Sequence, residues 1–209
     1  MRVAVRTLVT TAVVLFAAGL PVLAQGPLST GSFVANRDVN WDVAVGTGPF
    51  VDAFQVANNP GWGDFTGPTI ARWISFATSA SNPGGTPYYF RTSFDLTGYD
   101  PTTASLGFQC ALDNFLDVVR LNGNSVAGAV CPFGNLSGVQ NINSGFISGV
   151  NTLEFQLRGD GTTDGFIYNT TSFSAQPAVV AAPEPSAVVL LATGLGALGV
   201  MRRKRPAVG

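Results

Sequence analysis

Polar and apolar residues alternate most regularly over residues 88–96. Phe90, Thr92, Phe94 and Leu96 fall on one face, with Tyr89, Arg91, Ser93 and Asp95 on the other. That period of two predicts a half-buried strand. Thr97-Gly98-Tyr99-Asp100-Pro101 then predicts a turn. Alternation resumes with Ala104, Leu106, Phe108, Cys110 and Leu112 inward and Ser105, Gly107 and Gln109 outward. Residues 116–121 predict a third strand, ended by Asn122-Gly123, a pair that tolerates the left-handed backbone of a tight hairpin. Residues 151–157 predict a fourth, burying Leu153, Phe155 and Leu157, and residues 165–168 begin a last one. Residues 40–45 and 71–77 are strand-like as well, the latter carrying Trp73. Short strands separated by Gly-, Asn- and Pro-rich turns predict an all-β fold, a single β-sandwich over residues 25–177. No stretch of that region has helical periodicity.

The two ends of the chain follow a different pattern. Arg2 and Arg6 precede an apolar run over residues 8–20, and Pro21 breaks it before Val22-Leu23-Ala24. This predicts a secretory signal peptide over residues 1–24, cut between Ala24 and Gln25, where small residues satisfy signal peptidase. An uncleaved anchor is the plain alternative. At the other end, residues 178–182 read as a linker. Pro183-Glu184-Pro185 follows, then a charge-free apolar stretch over residues 186–201, then Arg202-Arg203-Lys204-Arg205. A helix over 186–201 would span roughly 24 Å at about 1.5 Å per residue, short of the ~30 Å hydrocarbon core. Snorkelling arginines and local thinning cover such a gap, and the basic cluster holds its end on the cytoplasmic side as a stop-transfer signal.

The order of Pro183-Glu184-Pro185, short span and basic cluster resembles the PEP-CTERM sorting signal, over residues 183–209 only. The resemblance implies recognition by an exosortase, an integral-membrane cysteine protease, cutting near the motif to release or transfer the protein. It also implies a cell-surface or extracellular destination, in association with exopolysaccharide. An ordinary membrane anchor would use the same span and cations, but it has no need of Glu184 and its flanking prolines.

Once the ends are set aside, the charge changes. Residues 25–182 hold five arginines, no lysine and eleven acids, a net −6. Such a domain lacks the basic footprint that nucleic acid requires. The two cysteines, Cys110 and Cys131, predict a disulfide in an exported chain, with two buried free thiols as the alternative. The absence of histidine removes Ser-His-Asp and Cys-His catalysis, and with so few soft ligands no zinc-type centre is expected. No dinucleotide or phosphate-loop motif is present, so neither cofactor nor enzymatic activity is expected. Asp113 and Asp117 are the nearest thing to paired carboxylates, and their placement at a corner and in a strand reads as structural. Asp160-Gly161-Thr162-Thr163-Asp164-Gly165 offers oxygen ligands but lacks EF-hand spacing, and reads as a polar turn.

Four segments of the domain resemble a galactose-binding-like jelly roll across roughly residues 40–170. They are the strand Tyr89-Phe90-Arg91-Thr92-Ser93-Phe94-Asp95-Leu96, the Asp113-Asn114 corner, the Leu121-Asn122-Gly123 hairpin, and Gly149-Val150-Asn151-Thr152-Leu153-Glu154-Phe155. The likeness implies a scaffold, and that scaffold hosts many functions. Asn114 reads as a turn-former. Trp62 lies in a Gly-rich loop, Asn58 to Asp64, that suggests an exposed ring for stacking on a sugar, whereas Trp41 and Trp73 read as core. Two expectations follow: a non-catalytic surface or matrix protein, with signal peptidase and an exosortase-type protease as partners, and alternatively a carbohydrate-binding module using Trp62 on extracellular polysaccharide.

Overall fold

The computed structural model describes residues 24–57, 59–63, 71–79 and 85–179, together with residue 195. Among these the fold is all-β. The eleven strands are β1 (Phe33–Val34), β2 (Arg37–Val45), β3 (Val51–Gln55), β4 (Ile74–Ser75), β5 (Pro87–Asp95), β6 (Tyr99–Asp113), β7 (Phe115–Leu121), β8 (Asn124–Ser125), β9 (Gln140–Ile142), β10 (Val150–Arg158) and β11 (Gly165–Pro177). They form one curled antiparallel sheet in the order β8-β7-β10-β5-β2-β3-β4-β11-β6-β9, with β1 paired to β2.

The alternating strands are the ones whose two faces meet different surroundings. In β5, Tyr88, Phe90, Thr92 and Phe94 are buried while their neighbours are not. In β10, Asn151, Leu153, Phe155 and Leu157 do the same. These strands pair with Phe155 opposite Phe90, so one in-register stripe of large side chains faces inward.

The sheet curls so that β11 and β6 face this stripe. Phe155 meets Phe166 at 4.8 Å between ring centroids, Tyr168 at 5.7 Å and Phe108 at 6.0 Å. Trp41 of β2 closes the group, 4.9 Å from Tyr168 and 5.5 Å from Phe166. Tilted and edge-on rings at these separations add to what burial of their area contributes. The inward cluster is continuous from Leu121 to Ile142 across both halves. A sheet folded over one core in this way is the arrangement of a β-sandwich.

The polar corners are satisfied from within. Asn122 and Gly123 have φ of 53° and 80°, the left-handed pair that a two-residue hairpin between β7 and β8 requires. The Asn122 side chain donates to Gly145 O and Asn151 Oδ1 and accepts from Thr152 N–H. Asp38 is fully buried; burial raises its pKa, against the hydrogen bonds that it accepts from backbone N–H groups, Gly31 and Asn40 among them.

Residues 71–77 depart from expectation. Only Ile74 and Ser75 form a strand, because Ala71 and Trp73 pack over the outer face of the sheet and not into the inner core. Residues 1–23 of the predicted signal peptide, and the tail with Pro183, Glu184, Pro185, Arg202, Arg203, Lys204 and Arg205, lie outside the described residues. No helix among the described residues is long and apolar enough to cross a membrane.

Candidate functional site

The chemistry of the domain collects where β6 gives way to β7. Leu112 continues the inward face of β6, so the next residue, Asp113, points to the outer face alongside Ala111. That face is covered. Val56, Trp62, Ala71 and Trp73 come over it from the residues between β3 and β4, and enclose Ala111 and Ile167 in a second apolar cluster.

Trp62 is therefore not the exposed ring that its loop composition suggests. It is 7% exposed. One face stacks on Trp73 at 4.3 Å between centroids, and Gly165 packs so close to the ring that any Cβ there would collide with it. Its Nε1–H donates to Asp113 Oδ2 at 2.7 Å. The loop is glycine-rich because backbones meet there, not because the ring is presented to solvent. Gly63 N–H donates to Gly134 O at 2.6 Å, and Gly134 has φ of +68° with Gly61 O where its side chain would be.

Asp113 is joined to Asn114 by a cis peptide bond. Tyr88 Oη–H donates to Asp113 O at 2.9 Å. Burial, together with the adjacent Asp164 carboxylate, raises the Tyr88 pKa far beyond the ordinary phenol value, so the hydroxyl stays a donor. Burial likewise raises the Asp113 pKa; the Trp62 N–H opposes the shift, and the charge of Asp160 adds to it. Asn114 Nδ2–H donates to Asp160 Oδ2 at 3.1 Å. Asp160 Oδ1 accepts from both the N–H and the hydroxyl of Thr162, which hold its pKa below the usual range. The 160–164 segment is thus a polar turn tied to the corner by Asn114. Among the described residues no three His, Cys, Asp or Glu side chains are grouped so as to hold a metal ion.

The other expected residues fall elsewhere. Asp117 is not part of the corner chemistry: it bonds Arg158 Nε at 2.6 Å and Gln156 Nε2 at 3.2 Å across the sheet. Cys110 and Cys131 form the expected disulfide, with Cα atoms 5.0 Å apart, and Gln140 stitches the same loop by bonding both the N–H and the C=O of Val130. Ala24 packs against the inner core and Gln25 is exposed. Two exposed aromatic side chains that composition did not single out, Phe115 and Phe133, stand near the corner: Phe115 follows Asn114 in sequence, and Phe133 bridges to Leu112. Compared with protein-family models, with curated proteins and with solved structures, the chain matches none.

Proposed function

We propose that the chain is an exported surface or matrix protein whose sandwich, a jelly roll of galactose-binding-like type, has a non-catalytic interaction role. An exosortase-type protease sorts it by acting on the tail. The observation that carries the export reading is the Cys110–Cys131 bridge, which belongs to a non-reducing compartment. The basic, apolar and small-residue order of residues 1–24 supports signal peptidase as the first processing enzyme. Pro183-Glu184-Pro185 ahead of an uncharged span and four cations supports the second.

The non-catalytic role is supported by a sequence without histidine and by carboxylates already committed to neighbours. Asp117 pairs with Arg158, and Asp113 receives the Trp62 indole. Trp62 lends no support to the alternative of a carbohydrate-binding module, because its ring is covered.

The proposal is tested by replacing Pro183, Glu184 and Pro185 together with alanine. The parent is expected in released or surface-attached form. The variant is expected to accumulate as a larger, membrane-bound form, because the extended segment presented to the protease is gone. Equal size and location for both proteins would reduce residues 183–209 to a plain anchor.

A further inference from the structure

The chain that processing at both ends would leave is almost without amines. The sequence holds one lysine, Lys204, and it lies in the basic cluster that tail processing removes. Every other cationic side chain after residue 24 is an arginine. A cut before Gln25 therefore makes the Gln25 α-amine the one aliphatic amine of the mature protein. Such an amine has a pKa of about 8, so near neutral pH part of it is the free base and a nucleophile. The fold fixes the chain from the next residue onward. Gly26 is pressed so closely on the Phe173 ring that any side chain there would collide with it. Thr170 Oγ1–H donates to Pro27 O, Trp41 Nε1–H to Leu28 O at 2.8 Å, and Thr30 Oγ1–H to Arg72 O at 2.6 Å. Gln25 itself is exposed, at a cavity of about 550 Å³ that Asp95, Thr97 and Tyr99 also line. Its side-chain amide has room to fold back on its own amine.

We propose that Gln25 is a modification site, closed to a pyroglutamate lactam once signal peptidase has cut; the inference rests on the proposed cleavage before Gln25. The α-nitrogen attacks the side-chain Cδ, a new C–N bond closes a five-membered ring, and the Cδ–Nε2 bond breaks. Ammonia leaves with the proton that the α-nitrogen sheds, so neither oxidant nor reductant is needed. Both reacting groups belong to one residue, which gives the ring closure a high effective molarity. The lactam removes the terminal charge, and with it the last amine. The cations that remain are guanidinium groups, which stay protonated. Reducing sugar ends condense with free amines to imines and not with protonated guanidinium, so the lactam keeps the chain unmodified among exopolysaccharide. It also denies aminopeptidases a start on residues 26–30. Those residues are part of the sandwich, since they cover Phe173 and hold Trp41, Arg72 and Thr170.

The test takes the processed protein freshly isolated from the cells that export it. It is treated intact with an amine-acylating reagent and only then digested after arginine. The N-terminal peptide, Gln25 to Arg37, is expected to carry no label and to be one ammonia lighter than its sequence. Gln25→Ala cannot form the lactam, and its N-terminal peptide is expected to take one label, at residue 25. Labelling before digestion excludes a ring that closes during handling, because an amine free in the intact protein is already acylated. A parent peptide that starts at Gln25, keeps its ammonia and carries the label would overturn the proposal while leaving signal cleavage in place. A chain that starts at any other residue would overturn both.

Discussion

Trp62→Ala is expected to lower the free energy of unfolding by about 3–5 kcal/mol, the range for truncating a large buried aromatic. Three losses combine. The stack on Trp73 at 4.3 Å disappears, Ala111 and Ile167 lose the cover that keeps them at 0% exposure, and Asp113 Oδ2 loses its donor. Trp62→Phe separates these contributions. It keeps a ring against Trp73 but leaves the carboxylate oxygen unsatisfied, at an expected cost of about 1–3 kcal/mol. Urea denaturation of the three proteins measures both values. An unchanged midpoint for Trp62→Ala would mean that the ring does not hold the loop to the sheet, and would return it to solvent.

Removing the disulfide comes second in size. The bridge closes a loop with a sequence separation of 21 residues, for which chain entropy in the unfolded state gives a stabilisation of about 3 kcal/mol. The Cys110→Ala, Cys131→Ala double variant is expected to lose about that much in denaturant unfolding. The strands are expected to persist, because Gln140 bonds Val130 N–H at 2.7 Å, Val130 O at 2.6 Å and Ser137 Oγ at 2.9 Å without help from sulfur. Far-ultraviolet circular dichroism of the variant should therefore match that of the parent while the midpoint falls. Equal midpoints would contradict the bridge as a stabilising element.

These two regions differ in how much of them the sequence displays. β5 and β10 are legible from alternation because each has one face in the core and the other in water. β6 is legible only through its inner face. Ala111, between two inward residues, is buried as well, because Trp62 and Trp73 cross the outer face from a segment some forty residues earlier. A local pattern carries no trace of such a cover. The same contact misleads at Trp62 itself: glycine and asparagine neighbours signal an open loop, but burial was decided by Trp73 and Gly165. β3 and β9, at five and three residues, are too short for a period to show. The Cys110–Cys131 pair was readable because with two cysteines there is a single pairing to consider.

The central claim, export followed by processing at both ends, is tested most directly by the intact mass of the mature protein. The account predicts a chain that begins at Gln25, ends near Pro183-Glu184-Pro185, and is two hydrogens lighter than its reduced form because of the Cys110–Cys131 bridge. A mass that still includes residues 186–209 would contradict exosortase-type processing, and one that still includes residues 1–24 would contradict cleavage of the signal peptide.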